Sequence, residues 1–136
     1  MGLKLKVSCT SFGHLGVFVE QVSNWHFIDE EIKRIGNNPK VLNLFAYTGA
    51  ASIVSANAGA DTTHLDAVKN IVSWANENKQ LSNAKDIRWL VEDAFKFLLG
   101  EQYSAVNVIA DEFVLKDYAL FVDDIDIVVF IGNKKI

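Results

Sequence analysis

Three aspartates each follow a short apolar segment, at the point where a strand is expected to end. They are Asp66, Asp93 and Asp111. Parallel α/β sheets bind ligands outside the carboxyl ends of their strands, so carboxylates there can contact a nucleoside. Asp66 could accept hydrogen bonds from a ribose diol, and Asp93 could accept one from an adenine amino group. The alternative is that each aspartate caps a helix or lies in an exposed turn.

A tight turn that precedes these aspartates could bind the rest of such a ligand. Its residues 43–49, Asn-Leu-Phe-Ala-Tyr-Thr-Gly, lie between an apolar segment and an alanine-rich segment. A turn from a strand into a helix exposes backbone N–H groups at the helix N-terminus. The Gly-x-Gly-x-x-Gly pattern of dinucleotide-binding turns is absent, since Gly49 alone remains of its glycines. The turn therefore favours a nucleoside ligand without a pyrophosphate.

Strands and helices are predicted to alternate around these residues. Apolar or β-branched segments predict five strands, at 41–45, 62–65, 87–91, 106–110 and 126–131. Helical spacing and glycine stops predict intervening helices at 50–58, 68–81 and 94–99, with one buried stripe formed by Val68, Ile71, Val72, Ala75 and Leu81. The alternation predicts an α/β fold, namely a Rossmann-like, doubly wound and mostly parallel sheet of about five strands with helices on both faces.

The first part of the chain is predicted to be an entry segment, residues 1–39, before a core at 40–136. Alternating apolar residues at 3, 5 and 7 predict a strand, and residues 14–19 predict a second short strand. Isoleucines at 28, 32 and 35 predict a helix with the acidic residues 29–31 in its first turn. The segment 36–39, Gly-Asn-Asn-Pro, ends that helix.

Composition limits the class of protein. The chain has 136 residues, of which 50% are hydrophobic and 22% are charged, as in one globular domain. Eight glycines, one proline and one cysteine exclude a collagen-like or disulfide-stapled chain. The absence of a signal-peptide pattern and of a long apolar run predicts a cytoplasmic protein that does not enter a membrane.

Charge and histidine spacing limit the partners. The net charge is −4, and no basic stripe that could neutralise many phosphates is present in the sequence. His14, His26 and His64 lack the spacing of metal ligands, so no metal site is expected.

Four segments of the chain carry the pattern of a known family. They are the turn region 41–52, an entry motif at 13–21 with 23–25, a second motif at 63–69 with 74–78, and a third at 87–89 with 92–97. These segments resemble the motifs of class I S-adenosylmethionine-dependent methyltransferases. Within that class they are most similar to the large-subunit ribosomal RNA cytosine-5 methyltransferases and their relatives.

The resemblance implies a cofactor, S-adenosyl-L-methionine, and a set of residues that bind it. The implied residues are Asn43, Phe45, Ala46, Tyr47, Thr48 and Gly49 at the methionine part, Asp66 and Ala67 at the ribose, Glu92, Asp93 and Ala94 at the adenine, and Asp111 after the fourth strand. Phe18 and Gln21 would close over the cofactor. The implied reaction is methyl transfer, with an RNA base, as in ribosomal RNA, as acceptor. No catalytic residue is assigned.

The sequence departs from the family near its fourth strand. The family has Asp-Pro-Pro where this chain has Asp111-Glu112-Phe113, and no motif matches after about Gly100. Cytosine-5 methylation needs a cysteine nucleophile, but Cys9 lies outside every motif and is expected to be a small buried residue. One alternative is therefore a truncated or degenerate copy that binds cofactor without catalysis. Another is an unrelated nucleotide-binding α/β domain, which the missing glycines disfavour.

Overall fold

The structure is a computed structural model that describes residues 2–8, 16–94, 96–97, 107–110 and 127–130. The helices are α1 (Val22–Ile35), α2 (Ala50–Asn57) and α3 (Lys69–Leu81), and a 3₁₀ turn (Val19–Gln21) precedes α1. The strands are β1 (Lys40–Leu44), β2 (Asp61–Asp66), β3 (Ile87–Val91), β4 (Asn107–Ala110) and β5 (Ile127–Phe130). All five predicted strands are present, with bounds that differ by one residue or less.

The five strands form one sheet in the order β3-β2-β1-β5-β4, and every neighbouring pair is parallel. The chain moves outward from β1 through β2 to β3, and β5 and β4 lie on the other side of β1. The strand order therefore reverses at β1, and the loop that follows β1 lies at this switch point, where such sheets bind ligands. The predicted parallel α/β sheet is confirmed.

Helices pack on one face of the sheet, and the opposite face of β1 is buried as well. Helix α2 contacts both α1 and α3, so the three helices form one layer. Val41 of β1 lies in the core cluster with α1 and α2, whereas Leu42 and Leu44 point to the opposite face and are 1% and 0% exposed. Burial on both faces is typical of a doubly wound parallel sheet.

Helix α1 begins earlier than its isoleucines suggest. Trp25, Ile28 and Ile32 form its buried stripe, so the apolar spacing extends one turn before Ile28. The acidic residues 29–31 consequently lie in the middle of the helix, and their predicted place in its first turn is wrong. Asp29 and Glu31 instead form ion pairs with Lys33 (3.0 Å) and Arg34 (2.7 Å) about one turn later.

The predicted N-terminal strands are also wrong. Residues 2–8 and 16–18 have no regular secondary structure, and residues 19–21 form the 3₁₀ turn. The alternation of residues 3–7 still has a physical basis, because Leu3 and Leu5 pack against the core. Backbone groups of Lys6 bond to side chains of α3, and those of Lys4 bond to Ser82 directly after it, rather than to another strand.

The buried stripe of α3 differs from its prediction at both ends. Val72 and Ala75 are buried, but Val68 and Leu81 are each about half exposed. The third buried residue of the helix is Asn78, whose amide makes two hydrogen bonds. In the part of the chain that the structure describes, no helix is long and apolar enough to span a membrane.

Candidate functional site

The carboxyl ends of three neighbouring strands bring the predicted site residues together. Leu44, Leu65 and Leu90 are in register across β1, β2 and β3, so the residues that follow them share one edge of the sheet. The amide of Glu92 donates a 3.1 Å hydrogen bond to the carbonyl of Asp66, which joins the ends of β2 and β3. The turn 45–49, Asp66 and residues 92–93 therefore converge as the sequence predicts.

Asp66 holds the turn in place through its carboxylate. Its Oδ2 atom accepts a 2.9 Å hydrogen bond from the Tyr47 amide, and its Oδ1 atom accepts a 3.1 Å bond from the Val68 amide. Each carboxylate oxygen can accept a further hydrogen bond, so Asp66 can still bind a ligand hydroxyl. Burial, together with the negative charge of Asp66, raises the pKa of the Tyr47 phenol.

The turn itself adopts a costly backbone conformation. Phe45 and Tyr47 both have a φ of 52°, in the left-handed region that non-glycine residues adopt at a cost of about 1–2 kcal/mol each. Hydrogen bonds from the amides of Ala46 and Gly49, to the carbonyls of Leu65 and Ala46 respectively, support this conformation at 3.0 Å each. The amides of residues 46, 47 and 49 are thus bonded within the protein, and the prediction of exposed N–H groups applies to the N-terminus of α2 rather than to these three amides.

Gly49 is required by the backbone and by packing beneath the turn. Its φ is 90°, and a Cβ atom there would lie 3.0 Å from the Cβ of Ala75 and 3.6 Å from Cε1 of His64. The missing side chain would therefore point into the protein, toward β2 and α3. Its absence lets α2 begin directly against these two elements.

A buried chain of polar side chains supports the turn from below. Asn43 donates a 2.8 Å hydrogen bond from Nδ2 to Ser52 Oγ, and Ser52 Oγ lies 2.8 Å from His64 Nδ1. All three residues are 1% exposed or less. This series of hydrogen-bonded side chains joins β1, α2 and β2. Only one of its members, Asn43, was predicted to be a site residue.

His64 is kept neutral by its surroundings. Burial lowers its pKa to about 4, and a weaker backbone interaction with Tyr47 acts in the opposite direction. Its ring lies 4.9 Å from that of Trp89 in an edge-on arrangement. The sequence contains a signal for this buried polar group, because His64 lies in an otherwise apolar or β-branched strand. A buried imidazole in such a strand needs a polar partner.

An open cleft with about 370 Å³ of empty space lies between the entry segment and the turn. It is lined by Val17, Phe18, Gln21 and Trp25 on one side and by Asn43, Ala46, Tyr47, Thr48, Gly49, Ala50 and Ala51 on the other. The rings of Phe18 and Tyr47 have centroids 5.1 Å apart. The cleft reaches the N-terminus of α2, whose first N–H groups have no partner within the helix.

The remaining predicted site residues lie at the end of β3, directly after Asp66, or outside the described part of the chain. Asp93 accepts a 2.9 Å hydrogen bond from the Lys96 amide at Oδ1, as a helix-capping residue does. Glu92 and Ala67 are exposed, and Ala94 is buried. Asp111 and Cys9 lie outside the residues that the structure describes. Within residues 2–8, 16–94 and the shorter described segments, no three metal-ligating side chains cluster.

Known proteins are similar to this chain in sequence and in fold. A crystal structure of a SAM-dependent methyltransferase from Agrobacterium tumefaciens is 41% identical, with a TM-score of 0.71 over 81% of this chain and 36% of that one. The ribosomal RNA large subunit methyltransferase K/L of Pseudoalteromonas translucida is 34% identical over 94 residues, and that of Shewanella oneidensis is 30% identical over 112. The chain is a homologue of the class I S-adenosylmethionine-dependent methyltransferases.

The matched region is a small part of these relatives. It covers 68% and 79% of this methyltransferase homologue but only 13% and 15% of the two ribosomal RNA methyltransferases. No protein-family model matches the chain. The Rossmann-like fold predicted from the alternating elements is confirmed by the Agrobacterium structure.

Proposed function

We propose that this chain is the S-adenosylmethionine-binding fold of a methyltransferase that acts on large-subunit ribosomal RNA. The observation that carries the proposal is the hydrogen bond between the Asp66 carboxylate and the Tyr47 amide. This bond holds Asp66, which is expected to bind the ribose, beside the turn that is expected to bind the methionine part of the cofactor. Homology to a SAM-dependent methyltransferase and to ribosomal RNA methyltransferases supports the same cofactor and acceptor.

The site fits the chemical groups of this cofactor. The cleft places the N-terminus of α2 where a methionine carboxylate could bind, because the first N–H groups of a helix attract anions. Asp66 retains lone pairs for ribose hydroxyls, and Asp93 retains Oδ2 for an adenine amino group. When bound, S-adenosylmethionine supplies a methyl group on a positively charged sulfur, and the carboxylates of residues 66, 92 and 93 suit a cation.

The protein's contribution to methyl transfer would be mainly to position the cofactor. A rigid turn keeps the reacting groups aligned, which lowers the entropic cost of reaction. The bonds of the Ala46, Tyr47 and Gly49 amides provide this rigidity. A ribosomal RNA acceptor and a chain with a single cysteine both suit the cytoplasm, which we propose as its location.

Calorimetric titration with S-adenosylhomocysteine tests cofactor binding. We expect saturable heat with one site per chain, and none with NAD⁺ as a matched control, because the turn lacks the glycines that admit a pyrophosphate. The cofactor proposal is wrong if S-adenosylhomocysteine gives no heat at millimolar concentration. Heat with NAD⁺ alone would support the unrelated nucleotide-binding domain instead.

A methyl-transfer assay tests the reaction. Purified large-subunit ribosomal RNA and radiolabelled S-adenosylmethionine are incubated with the chain, and the label in RNA is counted against a reaction that contains transfer RNA. We expect label in ribosomal RNA only. Cofactor binding without any transfer would identify the chain as a copy that binds cofactor without catalysis.

A further inference from the structure

The side-chain amide of Asn78 joins two parts of the chain that are distant in sequence. Its Oδ1 atom accepts a 2.7 Å hydrogen bond from the Lys6 amide, and its Nδ2 group donates a 2.9 Å bond to the Thr48 carbonyl. Asn78 is 0% exposed, so water cannot replace either partner. One buried amide thus connects residues 2–8, which we call the N-terminal strap, to the turn 45–49.

The strap is fixed along α3 by further bonds around this amide. The indole of Trp74 donates a 3.0 Å hydrogen bond to the Lys6 carbonyl, and Lys6 Nζ lies 3.0 Å from Glu77. Ser82 bonds to both the amide and the carbonyl of Lys4, at 2.7 and 2.8 Å. Trp74, Glu77 and Asn78 lie on one face of α3, at i, i+3 and i+4, and Ser82 is the residue that follows the helix at its C-terminus.

Thr48 is held from two sides by this arrangement. Its carbonyl accepts the bond from Asn78, and its hydroxyl donates to the carbonyl of Gly16. Thr48 also lines the cleft beside Gly49 and the first turn of α2. The position of a cleft-lining residue therefore depends on contacts with α3 and with the segment before α1.

We propose that Asn78 is a positioning residue of the cofactor site, which it shapes by fixing the carbonyl of Thr48. The inference rests on the proposed function and concerns the geometry of the same site. Asn78 does not line the cleft, so it acts on the cofactor through Thr48. An amide is suited to this position because it donates to a carbonyl and accepts from an amide at once.

The variant Asn78→Asp separates the two bonds of this amide. An ionised carboxylate accepts from Lys6 but cannot donate to Thr48, whereas a protonated carboxyl group can do both. Burial raises the pKa of a carboxyl group, so the variant should regain the second bond as the pH falls. Ser82→Ala is the matched control, since it removes bonds of the same strap and leaves those of Thr48 intact.

Affinity for S-adenosylhomocysteine is measured by calorimetry for the full chain and both variants at about pH 8 and about pH 6. We expect Asn78→Asp to bind about tenfold more weakly than the unmodified chain at the higher pH and to recover at the lower. Ser82→Ala should bind within about twofold of the unmodified chain at both. Hydrogen exchange at the amides of residues 46 and 49 should be faster in Asn78→Asp at the higher pH.

The outcomes distinguish this inference from the function on which it rests. If the unmodified chain does not bind S-adenosylhomocysteine, the proposed function fails and this role fails with it. If the unmodified chain binds and folded Asn78→Asp binds equally well at the higher pH, only the role of Asn78 is overturned. Equal weakening by Ser82→Ala and Asn78→Asp, without recovery at the lower pH, would also overturn it, because that result indicates general destabilisation.

Discussion

The carboxylate of Asp66 holds the turn at the candidate site, and we propose that it also binds the ribose of the cofactor. Its bonds to the amides of Tyr47 and Val68 make it structural, and its remaining lone pairs make it available to a ligand. The sequence predicts its place at the end of β2. The bond to Tyr47, 19 residues away, depends on how the turn folds back over β2.

We predict that Asp66→Ala weakens both cofactor binding and folding. Loss of two hydrogen-bond acceptors should lower the free energy of unfolding by about 1–2 kcal/mol, and affinity for S-adenosylhomocysteine should fall about tenfold or more. Urea unfolding and calorimetry measure the two effects. Asp61→Ala, at the opposite end of β2, is the control, because its 3.6 Å pair with Arg88 is exposed. Equal affinities in the two variants would contradict a ligand role for Asp66.

His64 makes stability depend on pH. Its pKa is about 4 in the folded chain against 6.5 ordinarily, so below about pH 6.5 the unfolded chain binds more protons. The stabilisation by neutral His64 is complete above about pH 6.5 and is lost as the pH falls through about 4, a change on the order of 3 kcal/mol.

We predict that His64→Gln flattens this dependence. Urea unfolding at about pH 7.5 and about pH 5 should show a smaller loss of stability in the variant than in the unmodified chain. His26→Gln is the control, since it makes the same substitution at an exposed histidine on α1. A His64→Gln slope equal to that of the unmodified chain would show that other groups cause the pH dependence.

At the scale of elements, α3 organises the segments that the sequence assigned to strands. Trp74 and Asn78 of α3, and Ser82 directly after it, bond to the strap, and the ring of Trp74 also packs against Gly16. The alternation of residues 3–7 correctly predicts that Leu3 and Leu5 face the core, but Val7 is exposed. The alternation does not reveal the partner of the backbone, because a helix face can satisfy the same N–H and C=O groups as a strand.

We predict that Gly16→Ala disrupts the packing of the entry segment on α3. A Cβ atom at Gly16 would overlap Cζ2 of Trp74, and the φ of 95° is itself unfavourable for alanine. The free energy of unfolding should fall by about 2 kcal/mol or more. Gly59→Ala is the control, because its φ of 109° is similarly unfavourable for alanine but the space around the added atom is open, so it should lose less stability than Gly16→Ala. Equal losses in urea unfolding would contradict the packing argument.

At the scale of the whole molecule, the sheet order places β1 at the centre of the fold. β1 pairs with β2 on one side and β5 on the other, and four of its five residues are buried. β3 lies at an edge of the sheet and pairs only with β2 among the described strands. The turn that follows β1 is consequently anchored to the best-supported strand.

We predict that hydrogen exchange follows this order. Amides of residues 41–44 should exchange about tenfold or more slowly than those of residues 88–91, because a central strand opens only with much of the fold and an edge strand opens locally. Mass spectrometry of exchanged peptides compares the two strands in one experiment. Faster exchange in β1 than in β3 would contradict the sheet order.

The sequence by itself determined the alternation of elements, the parallel sheet and the convergence of residues 43–49, 66 and 93. These follow from local periodicity and from the rule that parallel strands end at one edge. Tertiary structure decided the left-handed conformations of Phe45 and Tyr47, the buried chain from Asn43 to His64 and the bridge made by Asn78. Each depends on polar groups distant in sequence that must find partners once water is excluded, and local patterns do not specify those partners.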